Sequence, residues 1–403
     1  MDKKALKYAC FIVFLAFFGT AGFAHAAGES NRYFLKSTSP IVKKSFGVRH
    51  SFNNGFTSDL TGFQLRLAKF FGVEVEPVAR LNILPSSEQP LDPADNGDGI
   101  TGLGKAIKRA VPSSQVPWGV KLLEDLQGAE LPKGGKGVKV AVLDTGVAVN
   151  HPDLLSRVYD CKDFTSPRFP VVDGKCVDKN GHGTHVAGII AADGGKDGLG
   201  IFGMAPQADL LVYKVCRDNG SCWADDITAA ISMAVDSGAQ IINLSLGSDS
   251  AIPLVKSGID YSTANGVLIV AAAGNDGPDI SSVDYPAFYA DVMAVGALNS
   301  DSGIPAWSSR GSNSLTVPNI IEDGDLEFGA PGVIIESTWK DGGYALLSGT
   351  SMASPHIAGL AARLWQSEED EPAEATRALL KFFARDILPF GEDNASGYGM
   401  PAL

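Results

Sequence analysis

The sequence predicts an α/β fold in which a parallel β-sheet is sandwiched by helices and preceded by a small α+β domain. Several short, nearly continuous apolar runs end in turn residues, as buried parallel strands do. Segments with helical spacing lie between these runs, and a break in composition separates them from the amino-terminal part of the 403-residue chain. The apolar runs are VKVAVLD, LLVYKVC, IINLSLG, VLIVAAAGN and VMAVGAL.

Residues 1–26 are typical of a secretory signal peptide. Three lysines precede an apolar stretch between Tyr8 and Phe23, and the small-residue motif AHA follows it. A membrane anchor is the alternative, but two glycines interrupt a run that is already short for a membrane span. We therefore expect a secreted protein, extracellular or periplasmic, with no membrane association after the signal is removed.

Residues 27–110 are predicted to form a small α+β domain followed by a linker. YFLKST and VEVEPVARLNIL have strand-like patterns, and TGFQLRLAKFF has helical spacing. Between about residues 85 and 115, Pro, Gly, Ser, Asp and Asn accumulate, which is typical of a linker. Its segment DNGDGI resembles the start of a calcium-binding loop, but Ala94 occupies the first ligand position, so we favour a linker.

Charge divides the chain in the same way. Residues 28–110 carry 11 Lys and Arg against 8 Asp and Glu, whereas residues 111–403 carry 19 against 37, a net charge of −18. A body this acidic disfavours nucleic acid and anionic membranes as partners. The opposite sign of the amino-terminal part suits an association with that body.

The body, residues 111–403, alternates strands with helices. The helical segments HVAGIIAA, DDITAAISMAV and LVKSGIDYSTA lie between the apolar runs, and this alternation predicts a parallel sheet covered on both faces. Functional side chains are expected at the carboxyl ends of such strands. Asp144, Ser245 and Asn275 lie at three of these ends.

Four cysteines remain after the signal: Cys161, Cys176, Cys216 and Cys222. An even number in an exported chain favours disulfides, and three pairings are possible. We favour the two nearest-neighbour bridges, Cys161–Cys176 and Cys216–Cys222. Zinc is the competing interpretation, but the chain has no C-x-x-C pair.

The stretch GTSMASPHIAGLAARLW has Ser351 just ahead of a long apolar helix. A helix start leaves backbone N–H groups unpaired, and with the helix dipole these groups suit a developing negative charge. A serine hydroxyl is a weak nucleophile, so catalysis there needs a base and an acid. His182 at a helix start and Asp144 at a strand end supply both. The alternative is that the serine merely caps the helix.

Three motifs taken together favour the catalytic interpretation of these residues over helix capping. VAVLDTGV, GHGTHVAG and GTSMASPHIAG, in that order, resemble the subtilisin-like serine peptidase family, and the similarity covers about residue 116 to the end. The resemblance implies a subtilisin-like α/β domain, endopeptidase activity on proteins or peptides, and no cofactor in catalysis. It implies Asp144 as acid, His182 as general base and Ser351 as nucleophile. Asn275, in AAAGN, would be the second oxyanion donor.

Other interpretations of the motifs are weaker. His185 and His356 are predicted to be structural, because neither H-E-x-x-H nor a third ligand motif accompanies them. A carboxyl peptidase with this fold would have Glu and Asp in place of the histidine. The motif GHGTHVAG, which contains His182, disfavours that class of enzyme. A catalytically silent binding protein remains the alternative function, although all four chemical positions are filled.

The resemblance also implies substrate and calcium contacts. The segments CRDNGSC and SLGS would flank an extended peptide. Asp153 in VNHPDL and Asp197 in GKDGLGIFG match family calcium ligands, although the second loop is about two residues longer than the family pattern. The implied substrate-binding residues are Gly220, Ser245, Leu246, Gly247, Ala273, Gly274 and Asp284.

The amino-terminal domain resembles the family's propeptide, which acts as an intramolecular inhibitor and chaperone. We therefore expect a self-processing zymogen that matures to a monomer. In the family, the position before the Tyr-Pro pair of SSVDYPAFY lies at the floor of the pocket for the residue preceding the cut bond. Asp284 occupies that position here and predicts a preference for Lys or Arg. A cut after Arg109 would fit it, and a cut after Leu84 remains open.

Overall fold

A computed structural model describes residues 32–84, 107–126, 130–313, 320–387, 391 and 393–403. The predicted signal peptide and most of the predicted linker lie outside the described residues. The chain divides into two compact units between Ala79 and Arg80, because residues after Ala79 already pair with strands of the second unit. The predicted domain boundary at 110/111 stays a prediction. None of the described helices combines the length and apolar character that a membrane span requires.

The first unit is a small α+β domain. Its antiparallel sheet has the strand order β2-β3-β1-β4, and its core contains Leu35, Phe46 and Phe56. The helix predicted over TGFQLRLAKFF begins at Gly62, after a capping box between Thr61 and Gln64. Its elements are β1 (Arg32–Leu35), α1 (Pro40–Phe46), β2 (Ser51–Phe52), β3 (Gly55–Asp59), α2 (Gly62–Phe70) and β4 (Val75–Pro77).

The second unit is built on an eight-stranded sheet. All neighbouring strands in it are parallel except the edge pair β8-β9. The strand order is β16-β15-β14-β12-β7-β10-β8-β9. Its strands are β7 (Lys139–Asp144), β8 (Val158–Asp163), β9 (Val172–Asp173), β10 (Asp209–Lys214), β12 (Ile241–Leu244), β14 (Leu268–Ala272), β15 (Val292–Leu298) and β16 (Phe328–Pro331).

Helices and small sheets complete this unit. The helices are α3 (Trp118–Glu124), α4 (His182–Ala191), α5 (Ala224–Asp236), α6 (Pro253–Ala264), α7 (Thr350–Arg363) and α8 (Pro372–Phe382). The remaining strands are β5 (Arg80–Ile83), β6 (Ile107–Arg109), β11 (Ser221–Trp223), β13 (Leu246–Gly247), β17 (Ile335–Thr338), β18 (Tyr344–Leu347), β19 (Ala384–Arg385) and β20 (Met400–Pro401). They form the small sheets β11-β5-β13, β17-β18-β6 and β19-β20.

The predicted α/β fold is confirmed. Each of the five apolar runs contains a buried strand of the large sheet, because a strand covered on both faces must be apolar along its whole length. Helix α4 is buried throughout, and α7 is buried from Thr350 to Ala362. Both helices therefore begin inside the protein, where their unpaired N–H groups can face a ligand.

Candidate active site

Strand β7 and helix α4 bring Asp144 and His182 together. Asp144 is the last residue of β7 and His182 the first of α4, and both are buried. The His182 Nδ1 lies 2.9 Å from Asp144 Oδ1 and 3.0 Å from Oδ2. Gly183 permits this approach, since a Cβ there would lie 2.2 Å from the Gly146 carbonyl oxygen. The pair has the geometry of an imidazole oriented by a carboxylate.

The electrostatics of this pair favour the charged imidazole. Burial lowers the pKa of His182, but the Asp144 carboxylate and, more weakly, Asp178 outweigh it, so the net shift of this pKa is upward. The other ring nitrogen, Nε2, is buried without a hydrogen-bond partner among the described residues. It is therefore free to take a proton from an approaching group.

Ser351 is held at the start of α7 by an exchange of hydrogen bonds with Ser245. The Ser245 Oγ donates to the Ser351 carbonyl at 2.9 Å, and the Ser351 Oγ donates to the Ser245 carbonyl at 3.3 Å. Pro355 explains the first bond, because it has no N–H to give to the carbonyl four residues earlier. Asn243 Nδ2 in turn donates to Ser245 Oγ at 3.0 Å. A buried network thus fixes the backbone of Ser351.

Asn275 and the Ser351 amide border one small space. The Asn275 Oδ1 accepts from the Thr350 N–H at 3.0 Å, which fixes the orientation of the side chain. A Cβ placed on Gly349 would lie 3.6 Å from Asn275 Nδ2 and 3.8 Å from the Ser351 backbone nitrogen. Gly349 has a φ of 152° and no Cβ, so no side chain fills the space between these two nitrogen atoms.

Two nearby histidines have structural surroundings. The His185 Nε2 lies 3.0 Å from the carbonyl oxygens of Ile335 and Ala345, and burial lowers the pKa of this ring to about 3. The His356 Nδ1 lies 2.8 Å from the Met352 carbonyl oxygen, and burial lowers its pKa to about 4. Both rings therefore stay neutral, in keeping with the structural role predicted for them.

Asp178, which the sequence motifs did not single out, supports the site. Asp178 accepts from Thr184 Oγ1, from Thr145 Oγ1 at 3.0 Å and from the Gly181 N–H at 2.8 Å, so it ties the start of α4 to the end of β7. An Asp four residues before His182, ahead of a helix, is a capping signal that could have identified it.

Strand β5 pairs with β13, which directly follows Ser245, the residue that is hydrogen-bonded to Ser351. This strand lies between β11 and β13 and is antiparallel to both, with Leu81 opposite Cys222 and Ile83 opposite Leu246. The Ile83 N–H donates to the Gly220 carbonyl at 2.9 Å. A Cβ on Gly220 would lie 2.8 Å from Ile83, so the glycine makes room for the strand. The segments CRDNGSC and SLGS therefore do flank an extended peptide, which here belongs to the chain itself.

Leu84, next after β5, lies near the side chain of Asp284. A Cβ on Gly247 would lie 2.9 Å from Asp284 Oδ2 and 3.0 Å from Leu84 Cδ2. Gly274 borders the same carboxylate, since its Cβ would also lie 2.9 Å from Asp284 Oδ2. The Asp284 N–H donates to the Ala273 carbonyl at 2.8 Å. The predicted pocket residues are thus neighbours.

Nearby groups do not offset the free-energy cost of burying the ionised Asp284 carboxylate. Burial, with the nearby charges of Asp276 and Asp249, raises the pKa of Asp284 to about 7. Only 4% of the residue is exposed, and no hydrogen bond from a described residue offsets this shift. A buried carboxylate without a donor favours a cationic group in the same pocket.

Lys108 and Arg109 lie in another part of the second unit. They belong to β6, which pairs with β18. Lys108 Nζ lies 3.1 Å from Asp341, and Arg109 Nε lies 3.6 Å from Glu336. The basic pair is thus held in a sheet, and the geometry gives no support to a cut after Arg109.

The two calcium-ligand candidates face one space. A Cβ on Gly195 would lie 3.0 Å from Asp153 Oδ1 and 3.5 Å from Asp197 Oδ1. Burial raises the pKa of Asp153, whose Oδ2 accepts from the Ile201 N–H and the Tyr344 hydroxyl. Two carboxylate oxygens facing one space beside a glycine-rich loop fit a hard cation such as Ca²⁺.

Both favoured disulfides are present. Cys161–Cys176 joins β8 to the segment after β9, and Cys216–Cys222 closes the turn before β11. The second bridge holds the edge on which β5 lies. The first closes a loop of 15 residues, which contributes about 3 kcal/mol to the free energy of unfolding in the chain-entropy model.

Most of the second unit matches a known protein family. The model of the Subtilase family matches residues 135–399. The chain belongs to the subtilase family. This subtilase is 40% identical over 411 residues to a subtilisin of Bacillus sp. (strain TA39), which covers 95% of this chain and 94% of that one.

Solved subtilase structures agree with this membership. The S41 psychrophilic protease is 44% identical with a TM-score of 0.68, and sphericase is 43% identical with a TM-score of 0.69. Each match covers 72% of this chain and 99% of the other. The predicted family and fold are therefore confirmed, and this subtilase is a serine endopeptidase that acts on peptide bonds.

Proposed function

We propose that Asp144, His182 and Ser351 hydrolyse the peptide bond through an acyl-enzyme. As Ser351 Oγ attacks the carbonyl carbon, its proton passes to His182 Nε2, and the imidazolium then protonates the leaving amine as the C–N bond breaks. Water repeats the sequence to release the acid. The observation that carries the proposal is the 2.9 Å contact between His182 Nδ1 and Asp144, which leaves Nε2 as the proton acceptor. Attack requires the hydroxyl to turn from the Ser245 carbonyl toward Nε2.

Asn275→Ala tests the proposed oxyanion hole. We expect the variant to fold, with kcat lower by about 10²–10³, because one of two donors to the developing oxyanion is lost. The measurement is kcat for a peptide substrate, with Asn265→Ala, in an exposed turn, as the control. An unchanged kcat would show that another group donates to the oxyanion.

We propose that the chain is a zymogen that cuts itself after Leu84. The pairing of β5 with β11 and β13 supports this, together with the contact of Leu84 at the Asp284 pocket. An attached segment needs little intrinsic affinity, since its effective concentration is high. The same strand would then block the cleft against other peptides. The amino-terminal signal pattern and the disulfides support secretion, and we expect the mature enzyme to be a monomer.

We propose that the mature enzyme prefers Lys or Arg before the cut bond. A long cationic side chain can extend beyond the position of Leu84 and meet the buried, donor-free carboxylate of Asp284. Leu84 shows that an apolar residue also enters the pocket. The proposed preference is therefore a higher kcat/KM for Lys or Arg than for Leu, and Leu is still accepted.

Asp284→Gly tests this preference. For matched peptides, we expect the ratio of kcat/KM for Lys over Leu to fall about 10- to 100-fold, as a charge-assisted contact of about 1.5–3 kcal/mol is lost. The assay is run at pH 9, above the pKa of about 7, so that the carboxylate is ionised. The exposed Asp279→Gly is the control. A wild type that favours Leu, or an unmoved ratio, would show that Asp284 does not set specificity.

We propose that Asp153 and Asp197 bind a structural Ca²⁺ that the unfolded chain cannot hold. Calcium at about 1,000 times Kd would add about 4 kcal/mol to the free energy of unfolding. We therefore expect a chelator to lower Tm by roughly 8 °C. The decrease should be smaller in Asp197→Ala and unchanged in Asp301→Ala, which alters an exposed carboxylate elsewhere. A wild-type Tm that is unchanged by the chelator would show that Asp153 and Asp197 do not bind a structural Ca²⁺.

A further inference from the structure

Three carboxylates lie close together around Asp284, the proposed specificity residue. One oxygen each of Asp249, Asp276 and Asp284 lies within 4.8 Å of the other two. Asp249 follows β13, Asp276 follows the oxyanion-hole residue Asn275, and Asp284 comes from a third segment. The cluster therefore brings together carboxylates from three loops. Three like charges so close together repel one another unless a cation neutralises them.

The buried member of this cluster points to a ligand. Asp249 and Asp276 are exposed, but Asp284 is 96% buried, at 4% relative exposure, and no described residue donates to its carboxylate. Its Oδ2 would lie 2.9 Å from a Cβ on Gly247 or on Gly274, and neither glycine supplies a cation. A buried carboxylate costs several kcal/mol unless a proton donor, a cation or a metal compensates it.

We propose that Asp249, Asp276 and Asp284 together bind one Ca²⁺ ion. The donors are all oxygen, which suits a hard cation rather than zinc or copper. Because Ca²⁺ lies about 2.4 Å from each ligand, two of its ligand oxygens are at most about 5 Å apart, and the 4.8 Å limit satisfies this. Exposed Asp249 and Asp276 leave the ion open to water, so we expect a Kd of about 1 mM, as in other extracellular calcium modules.

The ion would regulate substrate choice. This consequence rests on the proposed role of Asp284 in the preference for Lys or Arg. Bound Ca²⁺ neutralises Asp284 and occupies the position that a Lys or Arg side chain needs, whereas a Leu side chain does not require the charge. Calcium would thus shift the enzyme from basic toward apolar residues before the cut bond.

Kinetics at several calcium concentrations test this regulation. With matched peptides, raising CaCl₂ from 0.1 to 10 mM at constant ionic strength should lower kcat/KM for the Lys peptide about tenfold, given a Kd of about 1 mM. The value for the Leu peptide should stay within twofold. In Asp249→Asn and Asp276→Asn the calcium effect should disappear. Asp279→Asn, an exposed carboxylate near the cluster, should retain it.

Binding is measured separately from substrate preference. The mature enzyme, with Ser351 blocked by a small organophosphonate, is titrated with CaCl₂ by calorimetry. We expect one millimolar site that is lost in Asp276→Asn and retained in both Asp279→Asn and Asp197→Ala. Equal binding in Asp276→Asn and wild type would overturn the proposed site. If the site binds calcium but Lys and Leu peptides are cut alike, the metal site stands and the substrate preference fails.

Discussion

Replacing Ser351 with alanine abolishes peptide hydrolysis and leaves the amino-terminal segment attached. We expect kcat to fall by about 10⁶, the loss typical of removing the nucleophile of such a triad. The fold should persist, because the serine backbone remains bonded to Ser245 Oγ. Since the proposed cut after Leu84 uses the same nucleophile, the chain should also stay at its unprocessed mass.

Mass spectrometry and a peptide assay check both outcomes. The variant is refolded in purified form, so that no other peptidase can cut it. Ser257→Ala, which alters an exposed serine in α6, serves as the control and should mature and hydrolyse normally. A purified Ser351→Ala chain that still matures on its own would end the proposal of cleavage within one molecule.

Asp144→Asn has the second largest expected effect. Asparagine keeps the shape of the side chain but loses the charge that stabilises the imidazolium of His182 and selects its tautomer. We expect kcat to fall about 10⁴-fold. Asp163→Asn, at the end of β8, which is separated from β7 by β10 in the same sheet, should change kcat by only a few-fold, because its carboxylate accepts hydrogen bonds from Thr165.

The pH profile separates this role from a general loss of stability. In the wild type, the charge of Asp144 opposes the burial that lowers the pKa of His182. Activity needs neutral His182, so it rises as pH passes this pKa. Without the charge, burial acts with less opposition, and the acid limb of kcat/KM should move to lower pH. If the acid limb of kcat/KM stays at the same pH in Asp144→Asn, then Asp144 does not raise the pKa of His182.

Much of the fold could be predicted because its signals are local. A strand buried on both faces is apolar along its length, so VKVAVLD indicates both β7 and the position of Asp144 at its end. Likewise, Gly181 before His182 and Gly349 before Thr350 mark where α4 and α7 begin. Short sequence separation also made the nearest-neighbour disulfides the favoured pairing.

Other features depend on contacts between distant segments. The basic pair Lys108–Arg109 suggested a cut there, but pairing with β18 holds it in a sheet, while β5 pairs with β11 and β13. Nothing in the sequence shows that Asp249 and Asp276 meet Asp284, since each follows a different strand or loop.

The most direct test of the central claim is active-site titration with a serine-directed organophosphonate. The proposed mechanism predicts one adduct per mature chain, located on Ser351 by peptide mapping, with activity lost in proportion to labelling. Ser351→Ala should take no label, and His182→Ala should react far more slowly, because its serine lacks a base. A mature chain that hydrolyses peptides yet stays unlabelled, or that is labelled on another serine as activity disappears, would contradict the assignment.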